Sequence, residues 1–320
     1  MISLDNYPLD LTPNETSPTH SGLLPIHFLS YSSGGTLHTC PKEFQIYKMG
    51  EAKLSERNVT YSFGHAVGAG VQSLLCGDSL ELAIWQAFCA WDVDLFDYEE
   101  KSKKAFHWVV NALEKFLPYA VQIHKDYEVA TFDGKQAKEL SFQVLFPHGF
   151  RYRAHIDVVL RHKVSGELLV VELKTTKAKT IMEATYGNSR QALSYSVVLD
   201  KIASGNASYK VWYIIYQTEL EDYEPMPFTK TALDKAKWIK GILVDCEQVR
   251  SYQEQAFYPQ YDGSCVRFFR PCQYYGMCGM SDKSLLASPE ELEARVQKEL
   301  KTPYTFTFTL DEIIQQQLGA

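Results

Sequence analysis

The stretch VVELKTTKAK, residues 170–179, decides the fold of this 320-residue chain. An aliphatic run ends there with a carboxylate and an ammonium two positions apart, Glu172 and Lys174. Because side chains alternate along a β-strand, these two share one face and Leu173 lies on the other. On this stretch alone a structural ion pair explains the pattern better than an active site does, so the surrounding sequence has to distinguish the two.

The segments around this stretch predict an α/β sandwich with a mixed sheet. From residue 126 onward, short segments rich in Val, Ile, Phe and Leu are typical of strands. The turn sequence HKVSG at 162–166 joins two of them as an antiparallel pair that carries Asp157 and Glu172. A helix at 189–202 and a buried strand follow, and two amphipathic helices precede the strands.

The composition is that of a globular protein, with 45% hydrophobic and 13% aromatic residues. No apolar run long enough to predict a membrane span is present, and residues 1–20 do not resemble a secretory signal. The formal charge of -7 does not favour nucleic acid, so a DNA-binding role requires locally gathered basic residues. Such residues lie near the strands, although solvated charges on strand ends explain about half of them as well: Lys174, Lys177, Lys179, Arg190, Arg151, Arg153, Arg161, His162 and Lys163.

The paired strands bring Asp157 towards Glu172 and Lys174. Two carboxylates in one small volume repel each other unless a positive charge lies between them. Mg²⁺ or Mn²⁺ is the usual partner, held by one or two carboxylates and waters, and the backbone carbonyl of Leu173 can add a ligand. Lys174 would then orient the attacking water or stabilise developing charge. The alternative is a surface Glu–Lys pair with an unrelated Asp157.

The helix that follows carries Gln191 and Tyr195 on one face, because they are four residues apart. HIDVVL, VVELKT and QALSY together resemble the PD-(D/E)xK nuclease superfamily, and within it the RecB-like group. The resemblance implies a restriction-endonuclease-like core: a mixed β-sheet flanked by helices, with helical N- and C-terminal extensions. It also implies that Asp157 and Glu172 bind the metal, that Lys174 assists the water, and that Gln191 and Tyr195 line the DNA path.

One segment departs from this family's pattern. YSFGHAVGAGVQSLL resembles the helix that RecB-like nucleases open with Gly-x-x-x-His, but aligning Gly64 with the family glycine puts Gly68 where the histidine stands. Either the metal is held without that imidazole, or Gln72 or a water replaces it. His65 lies three residues early, and we expect it to face solvent or the N-terminal arm.

The cysteines extend the resemblance. TCPKEFQIYK and GSCVRFFRPCQYYGMCGM resemble segments of RecB-like nucleases with an iron–sulfur cluster, which include AddB-type helicase-nuclease subunits and the CRISPR adaptation exonucleases. The resemblance implies a [4Fe–4S] cluster on Cys40, Cys265, Cys272 and Cys278, with a structural role. A four-thiolate Zn²⁺ site and free thiols are the alternatives.

The predicted organisation has four parts: an N-terminal arm with the Cys40 helix (1–60), a nuclease core (61–220), a helical segment with the cysteine loop (221–285) and a helical tail (286–320). Residues 1–35 are expected to be irregular. The resemblance implies a metal-dependent DNA nuclease, an exonuclease at family level, acting in replication, recombination or repair in the cytoplasm of a bacterium or phage-infected cell. A protein partner is plausible because the acidic charge slows unaided capture of DNA. The alternative is a catalytically silent DNA-binding or scaffold subunit.

Overall fold

A computed structural model describes residues 27–50, 58–95, 103–203, 209–267, 270–280 and 285–318. Most of the predicted irregular arm, residues 1–26, lies outside these ranges. Its described end is not irregular, because a short strand and a helix occupy it. Ser30 caps that helix: its hydroxyl accepts from the Ser33 backbone N–H, and the Ser33 hydroxyl accepts from the Ser30 backbone N–H. This reciprocal cap is the local reason why the helix begins there.

Helices make up much of the described chain. They are α1 (Tyr31–Thr39), α2 (Pro41–Met49), α3 (Val59–Leu75), α4 (Leu80–Ala90), α5 (Phe106–Asp126), α6 (Glu183–Gly187), α7 (Arg190–Ile202), α8 (Ala232–Glu254), α9 (Pro289–Leu300) and α10 (Leu310–Leu318). Of the described helices, none is long and apolar enough to cross a membrane.

The strands of the described residues are β1 (Phe28–Leu29), β2 (Tyr127–Val129), β3 (Thr131–Phe132), β4 (Lys135–Gln136), β5 (Lys138–Leu145), β6 (Arg151–His162), β7 (Leu168–Thr176), β8 (Tyr209–Gln217), β9 (Asp222–Lys230), β10 (Val266–Arg267), β11 (Arg270–Pro271) and β12 (Phe306–Thr309). The central sheet has the order β12-β5-β6-β7-β8-β9, with β1 and β2 paired to β6.

The direction of the strands makes this sheet mixed. β6 and β7 are antiparallel, β7 and β8 are parallel, and β8 and β9 are antiparallel. The predicted α/β fold with a mixed sheet flanked by helices is confirmed, and α7 supplies the connection that a parallel β7–β8 pair requires. β9 was not predicted.

The chain divides into two compact units, each assembled from separate segments. The smaller unit consists of residues 1–54, 144–153 and 240–303, and the larger unit consists of residues 55–143, 154–239 and 304–320. The larger unit holds most of the central sheet and residues 170–179.

The core of the larger unit forms where α3 and α5 pack on one face of the sheet. Phe63, Leu113 and Val171 are fully buried there, and burial of each such side chain contributes about 1.5–3 kcal/mol. Gly70 allows the two helices to approach closely, since a Cβ at this position would lie 2.5 Å from the Leu113 side chain. This packing holds α3 next to the end of β7.

Candidate active site

An open cleft of about 900 Å³ lies in the larger unit, where residues of α3 and α4 and of β5, β6 and β7 line it. Its lining includes four of the motif residues predicted from the sequence, namely Asp157, Glu172, Lys174 and Gln191. Leu173 also lines the cleft. The predicted constellation is therefore gathered in one place rather than spread over the sheet.

Strand register brings the two carboxylates together. β6 and β7 pair with Val158 opposite Val171, so the next position along each strand sets Asp157 across from Glu172. Side chains at opposed positions lie on the same face of a sheet. An Asp157 carboxylate oxygen also accepts the Leu173 backbone N–H at 2.9 Å, which fixes the orientation of this carboxyl group.

The electrostatics of this pair are unfavourable for a protein without a bound cation. Burial raises the pKa of Asp157 well above its usual value, and the charge of Glu172 raises it further. Burial also raises the pKa of Glu172, against the lowering effect of Lys174. Glu172 is 1% exposed, and its Oε2 has no hydrogen-bond partner among the residues that the structure describes. A buried carboxylate oxygen without a partner is costly.

A short network holds the Glu172 carboxylate. Lys174 Nζ donates to Glu172 Oε1, the Tyr195 hydroxyl donates to the same carboxylate, and the Gln191 side-chain amide donates to the Tyr195 hydroxyl at 2.7 Å. Tyr195 is 1% exposed. Gln191 belongs to the cleft lining and Tyr195 does not. That these two residues line the DNA path stays a prediction.

The position that departs from the family pattern is open. A Cβ added at Gly68 would meet no atom within 4 Å. Gln72, one turn later, donates from its amide to Glu139 at 2.5 Å. His65 is exposed, as expected, but it lines the cleft instead of facing away from it.

Glu139 lines the cleft and carries a third carboxylate, although it was not among the site residues predicted from the sequence. Its charge raises the pKa of both Asp157 and Glu172, after the larger effect of burial. The available signal was an acidic residue at the start of a predicted strand, ELSFQVLF, adjacent in sequence to the strand of Asp157.

A match to a protein-family model shows which family this chain belongs to. The model of the PD-(D/E)XK nuclease superfamily matches residues 28–279. The chain belongs to the PD-(D/E)XK nuclease superfamily. Membership of this superfamily supports a nuclease that hydrolyses phosphodiester bonds, and it supports a restriction-endonuclease-like fold for the mixed sheet described above.

Solved structures with similar folds are distant in sequence. A crystal structure of a "putative exonuclease" from Eubacterium rectale is 12% identical, covers 79% of this chain and 94% of its own, and has a TM-score of 0.47. The crystal structure of SSO0001 is 12% identical, covers 71% of this chain and 88% of its own, and has a TM-score of 0.31. No curated protein matches the chain. With both TM-scores below 0.5, the assignment rests on the family model.

PD-(D/E)XK nucleases generally use divalent metals, and the cleft residues fit such an ion. Within the described ranges no three His, Cys, Asp or Glu side chains are placed to hold one ion together. Mg²⁺ does not require three, because it is usually held by one or two carboxylates and keeps several waters. Asp157, the partnerless oxygen of Glu172 and the Leu173 carbonyl form a donor set of that kind.

The four cysteines of the proposed cluster lie in the smaller unit. Cys40 precedes α2, and an ion pair between Glu43 of α2 and Arg267 connects this helix to the cysteine loop. Burial raises the pKa of the Cys278 thiol, and the charges of Cys272, Cys40 and Cys265 raise it further. The four thiols are thus within electrostatic range of one another, but in the described part of the chain they do not form a ligand group for a metal.

The predicted basic residues of this nuclease have different surroundings. Lys177 and Lys179 follow β7 and are exposed. Lys163 instead donates to the His124 carbonyl, and Arg153 pairs with Glu299. Lys177 and Lys179 remain the better candidates for contact with a phosphate backbone. In the cysteine loop, positions 268 and 269 lie outside the described residues.

Proposed function

We propose that this protein is a divalent-metal-dependent deoxyribonuclease. The observation that carries the proposal is the buried pair of Asp157 and Glu172, with one partnerless oxygen, beside Lys174 in an open cleft. A structural Glu–Lys pair needs neither the second buried carboxylate nor the cleft. A cation resolves the repulsion between the carboxylates and accounts for the partnerless oxygen.

Each side chain has a defined task in this proposal. Asp157, Glu172 and the Leu173 carbonyl would hold the ion, which when bound would supply Lewis-acid chemistry and lower the pKa of water. Lys174 donates to the attacking water or to the non-bridging phosphate oxygens, whose negative charge grows in the transition state. Tyr195 donates to Glu172, which keeps this carboxylate oriented and favours its charged form.

The finer assignment is to a RecB-like exonuclease. The Gln191–Tyr195 pair supports it, because it stands on the helix after the Glu-x-Lys strand and its hydrogen bonds end on Glu172. We further propose that this exonuclease acts in replication, recombination or repair in a bacterial or phage-infected cell. A protein partner would aid its capture of DNA there.

A catalytically silent DNA-binding subunit is the second candidate. The observation that favours it is Gly68, which leaves the family's imidazole position without a side chain. The intact hydrogen-bond network around Glu172 favours an enzyme instead, since a scaffold has no need to keep a repulsive carboxylate pair.

The test is a cleavage assay on end-labelled single- and double-stranded DNA with Mg²⁺, Mn²⁺ or EDTA. We expect metal-dependent cleavage, and release of mononucleotides or short products from the ends would identify an exonuclease. Lys174→Met should lower the rate by a factor on the order of 10²–10³ while DNA binding is retained. Lys135→Met, which changes an exposed lysine on β4 outside the cleft lining, is the control and should retain most activity. Wild-type protein that binds DNA but cuts none of these substrates would support the silent subunit.

We also propose that Cys40, Cys265, Cys272 and Cys278 hold a structural [4Fe–4S] cluster, with Zn²⁺ as the alternative. The mutual electrostatic influence of the thiols supports this proposal, and their present arrangement, which is not that of metal ligands, counts against it. No step of the cleavage reaction involves this site.

A further inference from the structure

Glu139 lies on the strand next to that of Asp157. β5 carries Glu139 and neighbours β6, and β6 pairs with β7 so that Asp157 lies opposite Glu172. Glu139, Asp157 and Glu172 all line the cleft. Three adjacent strands therefore each contribute one carboxylate to the cleft.

The backbone of Glu139 is in an unusual conformation for its residue type. Its φ is 49° at the start of a strand. A non-glycine residue in this left-handed region is strained and persists only where its surroundings enforce it. The side chain is held as well, since the Gln72 amide donates to it at 2.5 Å.

An exposed carboxylate here is unfavourable for a nuclease unless a cation screens it. Phosphate oxygens of DNA that enter the cleft would be repelled by Glu139 as well as by Asp157 and Glu172. Glu139 also does not complete a direct ligand group, because the described residues hold no set of three such side chains around one point. A hydrated Mg²⁺ or Mn²⁺ keeps several waters, and these donate hydrogen bonds to acceptors beyond coordination distance.

We propose that Glu139, held by Gln72, is a positioning residue that accepts hydrogen bonds from the waters of the divalent cation bound by Asp157 and Glu172. This inference rests on the proposed function. The observation that points to a ligand independently of Glu139 is the buried Oε2 of Glu172, which has no hydrogen-bond partner among the described residues. Glu139 lines the cleft beside these carboxylates, and there it would offset part of the charge of the ion without displacing its waters.

The experiment measures Mn²⁺ affinity by electron paramagnetic resonance of free Mn²⁺, without DNA, in the full-length protein. Glu139→Gln keeps the size and polarity of the side chain but removes its charge. We expect its Mn²⁺ dissociation constant to rise about tenfold. The control Glu128→Gln changes an exposed glutamate on β2 that does not line the cleft, and it should remain within twofold of wild type.

A double-mutant cycle separates positioning from a general loss of structure. Gln72→Ala should weaken Mn²⁺ binding in the same direction, by a smaller factor, and the double variant should bind no more weakly than Glu139→Gln alone, because both act on one carboxylate. Additive effects, or a Glu139→Gln variant that binds Mn²⁺ as tightly as the Glu128→Gln control, overturn the inference and leave the proposed function intact. If wild-type protein binds no Mn²⁺, both proposals fail.

Discussion

The carboxylate cleft and the cysteine cluster (Cys40, Cys265, Cys272 and Cys278) both carry metal-ligand residue types, but they are organised by different parts of the fold. The carboxylates stand on adjacent strands, so sheet register alone brings them together. The cysteines stand at a helix end and in a loop of turns, and these segments are joined by side-chain contacts such as the Glu43–Arg267 ion pair and the packing of Ile46 against Tyr274. A site on strands is preorganised without its metal, whereas a site on loops depends on its metal for its geometry.

The largest effect that this comparison predicts is on the cysteine cluster. Cys272→Ser should lose bound iron and lower the stability of the protein, since a link between Cys40 and the cysteine loop closes more than 200 residues and is worth about 5 kcal/mol in chain-entropy terms. For a chain of this size we expect the melting temperature to fall by about 10 °C or more. Iron content, visible absorbance and thermal unfolding of anaerobically purified protein are the measurements.

The control for this variant is Cys76→Ser, a half-buried thiol of the larger unit, which should keep the metal content of wild type. Zinc instead of iron in the wild-type protein would establish the alternative site. If the wild-type protein holds neither metal and Cys272→Ser is as stable as wild type, the cysteines are free thiols. The comparison of two metal sites would then not apply to this protein.

The next effect concerns how firmly the cleft is preorganised. Tyr195→Phe removes the hydroxyl that donates to Glu172 and leaves the ring packing in place. Loss of a hydrogen bond behind a metal ligand typically costs 10- to 100-fold in affinity or activity, and we expect a decrease in kcat/KM for DNA cleavage in that range. Tyr216→Phe removes another buried hydroxyl outside the cleft lining, and it should change kcat/KM less than threefold. Equal effects of the two variants would mean that Tyr195 contributes only to packing.

The elements that carry the motif were predictable because each has a strong local signal. The turn at 162–166, the Val-rich strands and the amphipathic helix with Gln191 all form where the pattern indicates. Once β6 and β7 are antiparallel, the proximity of Asp157 and Glu172 follows from the side-chain period of a strand. The antiparallel pairing was confirmed, while the catalytic roles of these residues remain predictions.

Other features depend on context that a local pattern does not carry. β9 alternates exposed and buried positions and contains Pro225 and Pro227, which argue against a strand except at the edge of a sheet, where β9 lies. The four-residue spacing of Gln191 and Tyr195 predicts a shared face but not that Tyr195 is buried. Glu139 lies in the cleft because β5 neighbours β6 in the sheet, and its backbone is left-handed. The residues around it in the sequence indicate neither feature.

The smallest predicted effect tests the cost of the carboxylate pair directly. The pKa of Asp157 is raised in the folded protein, so the folded state holds this proton at pH values where the unfolded chain has released it. The stability contributed by this group is therefore lost as the pH rises from the unfolded pKa towards the folded one. Asp157→Asn should remove this loss, and we expect the metal-free variant to be more stable than wild type by about 1–2 kcal/mol at neutral pH.

The sign of this effect depends on pH and on metal, which distinguishes it from a general gain in packing. Thermal unfolding in EDTA should show the advantage of Asp157→Asn shrinking as the pH falls towards 4, while the exposed control Asp126→Asn should stay within about 0.5 kcal/mol of wild type throughout. Saturating Mg²⁺ should raise the melting temperature of wild type but not of Asp157→Asn, because only wild type keeps both carboxylates for the ion. A variant less stable than wild type in EDTA at neutral pH would mean that the cleft is not strained by its charges, and the contrast with the cysteine cluster would then lose its physical basis.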